Sequence, residues 1–217
     1  MSIRILLADD HVVLREGLRA LLEKQPDMLL VGEASHGREA VALAEKLRPA
    51  VIVMDIAMPG LNGIEATRQI VKNAPRTRVL ALSMHTDKRF VAGMLKAGAA
   101  GYMLKDGAAE ELVTAIRAIA VGGTYLSPRI AGPVVQGLVS PARPEGSASK
   151  LALTVREREV LQLLAEGKST KEIAHALIIS TKTVETYRHR IMDKSGLRTV
   201  AELTKLAVRE GLTFLDS

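Results

Sequence analysis

Five short apolar runs punctuate the first half of this sequence: IRILLA (3–8), LLVGEA (29–34), VIVM (51–54), RVLALSM (78–84) and GYML (101–104). The stretches between them follow a different period. Val13, Leu14, Leu18, Leu21 and Leu22 recur at three- and four-residue spacing, as do Leu112, Val113, Ile116 and Ile119, which puts each set on one face of a helix. Five strands interleaved with five helices predict an α/β domain with a doubly wound, five-stranded parallel sheet. In such sheets ligands lie beyond the carboxyl ends of the strands, so the strand endings are where chemistry is to be sought.

The third run ends abruptly in a charge. VIVMDIAMPG carries four apolar residues up to Asp55 before turning at Pro59-Gly60, although an unpaired buried carboxylate is costly. The other endings are polar too: Asp9-Asp10 after the first run, Ser83 in the fourth, Lys105 after the fifth. With the flavodoxin-like strand order 2-1-3-4-5, the first and third strands are neighbours and three aspartates converge on one rim. Three carboxylates stay ionised together only beside a counter-charge. A divalent cation with oxygen ligands meets that need, and Mg²⁺ suits a few carboxylates plus waters. Lys105 adds a second positive charge and Ser83 a hydroxyl donor, so the rim is suited to hold a phosphoryl group and neutralise the charge of its transfer. Singly, each residue has an ordinary explanation as a turn, a helix cap or a solvated side chain. Their shared position at strand ends on one side is the informative feature. His11 and His85 lie nearby and read as loop polarity or supporting packing rather than metal ligands.

A chain of 217 residues is long for one domain. From Ser127 to Ser149 it reads SPRIAGPVVQGLVSPARPEGSAS, a linker composition with room for a short helical piece around Ile130–Leu138. The expected division is therefore a first domain over 1–126, a linker over 127–149 and an all-α domain over 150–217. In the last, capping boxes at Thr154/Glu157 and Ser169/Glu172 open two helices. A third helix should run from about Thr181 to Lys194 with Val184, Ile191 and Met192 inward, and TVAELTKLAVREG supplies a fourth. The second and third form a helix-turn-helix pattern, whose second helix enters the major groove of double-stranded DNA.

Residues 150–217 hold +3 of the chain's net charge of +6, and Arg188, Arg190, Lys194 and Arg198 cluster there, which favours a polyanion partner. Aromatics make up only 2% of the chain, too few for the stacking platforms that bind single strands. The absence of cysteine excludes disulfides, thiolate metal sites and cysteine nucleophiles. The first apolar run stops at Asp9-Asp10, too early for a signal-peptide core, and no run approaches the roughly 18 apolar residues of a membrane span. A soluble cytoplasmic protein is expected.

Residues 1–126 resemble the receiver domain of two-component response regulators, through LLADDH, MDIAMPGLNG, ALSM and GYMLKD. The resemblance implies that Asp55 accepts a phosphoryl group from the phosphohistidine of a sensor histidine kinase. It implies that Asp10 and Asp55 bind Mg²⁺ directly, with the Ala57 carbonyl as a further ligand and Asp9 acting through water. Lys105 would pair with the phosphoryl oxygens, Ser83 would hydrogen-bond one of them, and Tyr102 matches the aromatic that reorients on activation. Asp106 stands after the lysine where many receivers have proline, and Asn62-Gly63 where Asp-Gly is frequent; either pair suits a turn.

The tail resembles the LuxR-type domain of the NarL/FixJ regulators, through LTVREREVLQLLAEGKSTKEIAHALIISTKTVETYRHRIMDKSG and REGL. By that resemblance Lys182, Thr183, Arg188 and Arg190 are phosphate or base contacts, and Glu185, Thr186 and His189 occupy base-reading positions. A glutamate can accept from cytosine N4, and a threonine methyl can touch thymine. Tyr187 stands where histidine is usual and Ser195 where leucine is usual. Val200, Leu203, Thr204 and Ala207 match the family's dimer face and equally fit core positions.

The expectation is a transcription factor, not an enzyme, whose phosphorylation at Asp55 favours a homodimer that binds DNA. An aspartyl phosphatase on a similar sheet needs a second carboxylate two residues after its nucleophile, and that position is Ala57. No G-x-G-x-x-G follows the first strand, which argues against a dinucleotide oxidoreductase. A regulator whose receiver serves only for dimerisation remains the other reading, and it leaves the acid, serine and lysine set without a purpose.

Overall fold

Strands form where the chain is apolar on both sides of the pleat. In the computed structural model these are β1 (Ile3–Ala8), β2 (Met28–Ala34), β3 (Val51–Asp55), β4 (Arg78–Ser83) and β5 (Gly101–Leu104). The alternating helices are α1 (Val12–Glu23), α2 (Gly37–Leu47), α3 (Gly63–Asn73), α4 (Lys88–Ala97) and α5 (Ala109–Ala120). The structure describes residues 2–84, 86–107, 109–132 and 151–213. They fall in two compact units, Met1–Ser140 and Pro141–Ser217.

The sheet is parallel throughout, in the order β2-β1-β3-β4-β5-β6. Every residue of β3 is buried, because both faces of the sheet are covered. One set of alternate residues, Ile5, Leu7, Val51, Val53, Leu80, Leu82 and Met103, packs with Leu22 of α1 and with Leu112, Ile116 and Ile119 of α5. The opposite set, including Leu6, Ile52 and Met54, is equally buried, and α2, α3 and α4 lie against β1, β3, β4 and β5. Full burial of each such side chain contributes about 1.5–3 kcal/mol, which fixes the register and so the side on which the strand ends emerge.

The sixth strand corrects the expectation of five. Tyr125–Leu126 forms β6, two residues long and parallel to β5, with Gly101 opposite Tyr125 and Tyr102 opposite Leu126. The pair is too short to register as an apolar run. It forms because β5 would otherwise leave an unpaired edge: Tyr125 N donates to Ala100 O at 3.2 Å and Ser127 N to Tyr102 O at 3.0 Å. Beyond it, residues 128–132 are helical and Ile130 is buried. The remainder of the expected linker and of its helical piece, from 133 to 149, lies outside the described residues.

The second unit holds α6 (Val155–Ala165), α7 (Thr170–Leu177), α8 (Thr181–Ser195) and α9 (Val200–Arg209). Thr154/Glu157 and Ser169/Glu172 form the expected capping boxes, and Thr199/Glu202 forms a third. Val160, Leu164, Ile173, Leu177, Val184, Ile191, Leu203 and Ala207 meet in one core. Among the described residues no helix is long and apolar enough to cross a membrane.

Candidate functional site

The order β2-β1-β3 brings the ends of β1 and β3 together. Ala8 pairs with Met54, so Asp9 and Asp55 emerge side by side, and both are almost wholly buried. Lys105, one residue past β5, reaches back to both: its Nζ lies 2.7 Å from Asp9 Oδ2 and 2.9 Å from Asp55 Oδ2. Its position is fixed by its own backbone, whose N–H donates to Ser83 O at 2.8 Å. Burial pushes the Asp55 carboxyl above its ordinary value, Lys105 pulls it down, and the neighbouring charge of Asp9 raises it again; the net direction is upward. One ammonium does not fully compensate two buried carboxylates.

Asp10 completes the cluster. An atom from each of Asp9, Asp10, His11 and Asp55 lies within 4.8 Å of all the others, close enough to share one ion. The buried Asp10 Oδ1 makes no hydrogen bond, although His11 Nδ1 is 2.9 Å away. Three converging carboxylates of uncompensated charge fit a hard divalent cation, and Mg²⁺ is the ion that response regulator receiver domains hold at such an acidic pocket. His11 lies beside the carboxylates, where the sequence pointed to loop polarity or supporting packing; His85 lies outside the described residues. Ala57 follows on the loop and donates its N–H to Asp55 Oδ1 at 3.3 Å.

Ser83 is buried at the end of β4, and Tyr102 is wholly buried in β5. Burial raises the Tyr102 hydroxyl to about 12; a hydrogen bond with Ser83 opposes the rise, and the charges of Asp87 and Asp55 add to it. Tyr102 is not an edge residue, since β6 takes that edge. A contributor that spacing did not reveal is Gly63. A Cβ there would sit 2.0 Å from the Asp55 carbonyl oxygen, so only glycine lets α3 start this close to the strand that carries Asp55. Asn62 caps α3 by accepting from Glu65 N at 2.9 Å. Asn-Gly signals a turn in sequence, but nothing local reports the close approach.

In the second unit, Val184, Ile191 and Met192 are the buried residues of α8, as the sequence indicated. Lys182, Thr186, His189 and Arg190 are exposed, while Thr183, Glu185, Tyr187 and Arg188 are half-buried. Three members of the cationic cluster meet a carboxylate inside the unit, Arg188 Nη1 lying 3.9 Å from Glu185 Oε2. Lys194 Nζ lies 2.6 Å from Glu157 Oε2, and Arg198 Nη1 lies 3.3 Å from Asp193 Oδ1. On α9, Leu203 and Ala207 are wholly buried in the core, so of the four residues matched to a dimer face only Val200 and Thr204 reach the surface.

A receiver-type sheet with an acid rim, followed by a helix-turn-helix unit, is the architecture of a signal-dependent regulator. Residues 5–117 match the response regulator receiver domain, and residues 151–207 match the bacterial regulatory proteins of the luxR family. The chain belongs to the NarL/FixJ family of two-component response regulators, which are transcription regulators. It is 43% identical over 206 residues to the transcriptional regulatory protein LiaR of Bacillus subtilis, covering 95% of each chain. It is 37% identical over 210 residues to the response regulator UvrY of Escherichia coli, covering 97% of this chain and 95% of that one. A solved structure of two RcsB dimers bound to two parallel DNAs is similar with a TM-score of 0.60 and 25% identity, over 97% of this chain and 99% of that one.

Proposed function

We propose that Asp55 accepts a phosphoryl group from the phosphohistidine of a sensor histidine kinase, and that this transfer controls dimerisation and DNA binding by the helical unit. The observation that carries the reading is the buried Lys105 ammonium shared between Asp9 and Asp55, at 2.7 and 2.9 Å, on a rim with excess negative charge. As an Asp55 oxygen bonds to phosphorus, the bond from phosphorus to the kinase's imidazole nitrogen breaks. Lys105 exchanges its contact with the Asp55 carboxylate for one with a phosphoryl oxygen, and Ser83 donates its hydroxyl to another. Asp9, Asp10, Asp55 and the Ala57 carbonyl would hold Mg²⁺, which supplies further positive charge against the transferring group. Because Ser83 is bonded to Tyr102, its recruitment frees the tyrosine hydroxyl and ties rearrangement of β4 and β5 to the chemistry.

The functional division is a receiver over 1–126, a linker over 127–149 and a DNA-binding domain over 150–217. Phosphorylation shifts an existing equilibrium toward a dimer, in which Val200 and Thr204 contribute contacts and each α8 enters the major groove of one half-site. Lys182, Thr183, Arg188 and Arg190 serve phosphate or base contacts, with base reading by residues of the same helix. The relative RcsB, solved as dimers on DNA, supports this assembly. The protein acts in the cytoplasm as a switch rather than an enzyme, since Ala57 offers no carboxylate to hydrolyse the acyl phosphate quickly.

Labelling of the full chain by acetyl phosphate with Mg²⁺ tests the reading. Asp55→Asn is expected to abolish labelling and, with it, the phosphate-stimulated rise in DNA affinity. Stimulation that survives without labelling would sink the mechanism.

A further inference from the structure

Helix α8 carries two unlike sets of polar side chains. Lys182, Thr186 and His189 are exposed and follow one another at i, i+4 and i+7, so they share one stripe. The Thr186 hydroxyl donates to Lys182 O at 2.9 Å, which leaves its methyl group as the part suited to a thymine. The second set is engaged with α7. Thr170 Oγ1 donates to Glu185 Oε1 at 2.8 Å, and the other carboxylate oxygen faces Arg188 Nη1 at 3.9 Å. Thr170 is the first residue of α7, directly after its N-cap Ser169, where unpaired N–H groups give the helix end a partial positive charge that favours a carboxylate.

A glutamate that reads cytosine must present a free acceptor to the base edge. One oxygen of Glu185 instead accepts from Thr170 and the other faces Arg188 at ion-pair distance, so the carboxylate is tied to its own unit. We propose that Glu185 is a positioning residue that braces α8 against the first turn of α7 through Thr170 and orients Arg188, leaving base reading to Lys182, Thr186 and His189. The brace fixes the angle at which the exposed stripe meets a groove, and small errors in that angle lose contacts along the whole helix. The inference rests on the DNA-binding reading of α8.

The test is selection from a randomised duplex DNA library by the full chain treated with acetyl phosphate. Glutamine keeps an oxygen that can accept from Thr170, so Glu185→Gln is expected to retain the base preferences of the unaltered chain. Were Glu185 a base reader, the same change would move one position from cytosine toward adenine, and that result overturns the proposal. Glu185→Ala and Thr170→Val are each expected to weaken binding to the selected duplex roughly tenfold, and the double variant to lose no more than either alone. Additive losses, or a Thr170→Val chain that binds normally, overturn it. Thr170→Ser keeps the hydroxyl and should bind normally, which separates a lost hydrogen bond from a misfolded unit. If the unaltered chain selects no sequence, the DNA-binding reading fails on its own. The brace is then judged by thermal unfolding, where coupled effects of Thr170→Val and Glu185→Ala support it and additive effects refute it.

Discussion

The two units handle their functional charges in opposite ways. In the first, the side chains of Asp9, Asp55 and Lys105 are only 3%, 2% and 5% exposed. In the second, Lys182, His189 and Arg190 stand in solvent. Burial lowers the effective dielectric, so adding charge at one atom of the rim changes forces on every neighbour. Exposed cations are each weak and screened, and they act collectively on a polyanion in a salt-dependent way. A switch requires the first arrangement and a reader the second. The difference should therefore appear as stability in one unit and as affinity in the other.

The largest effect is expected at Lys105. Lys105→Met leaves two buried carboxylates without their ammonium and is expected to cost the first unit about 3–5 kcal/mol at neutral pH. Urea unfolding followed by the amide signals of β1 and β3 would measure it, with partial recovery at lower pH as Asp55 takes up a proton. Arg190→Ala, by contrast, should leave unfolding unchanged and reduce the salt dependence of DNA binding by about one phosphate contact. A Lys105→Met chain as stable as the original would remove the contrast between the units.

A smaller effect separates the units by pH. Burial pushes the Glu157 carboxyl up, but hydrogen bonds from Lys194 and Thr154 outweigh it and hold the group below its ordinary value of 4.5. Its stabilising contribution is therefore complete above pH 4.5 and is lost as pH falls through the lowered folded value. Asp55 runs the other way: its folded value is raised, so ionisation costs stability as pH climbs past 3.8, and acid relieves that cost. Glu157→Gln is expected to destabilise the helical unit by about 1–2 kcal/mol at pH 7, with the two chains converging in acid. Urea titrations of the α6 amide signals at pH 7 and at pH 2, far below 4.5, would show whether they converge.

How much of this was legible depended on whether a residue's role is set by period or by proximity. Apolar runs and helical spacing carry the sheet and the four terminal helices, because burial enforces both periods. The rim was legible because Asp9, Asp10, Asp55, Ser83 and Lys105 all terminate strands, and a parallel sheet puts its strand ends on one side. What spacing does not encode is contact between distant segments. β6 depends on an open edge elsewhere in the sheet, and Gly63 on a carbonyl eight residues earlier. The engagement of Lys194 by Glu157 depends on how α6 and α8 pack. Glu185 is the sharpest case, since its place on α8 is periodic while its partner Thr170 belongs to another helix.

The smallest effect compares one strained residue in each unit. Among the described residues, Arg48 (φ 46°) and Ile178 (φ 55°) are the non-glycine residues in the left-handed region, each just past the end of a helix. Such a conformation crowds the Cβ, and a β-branched side chain suffers most. Ile178 is also 92% exposed, so its side chain recovers almost nothing by packing. Asparagine tolerates the left-handed cap, and Ile178→Asn is expected to stabilise the helical unit by about 1 kcal/mol. Arg48→Asn should gain the first unit less, because arginine has an unbranched Cβ. Equilibrium unfolding of both variants measures the difference. A gain at Arg48 equal to that at Ile178 would mean that β-branching contributes nothing to the strain at this helix end.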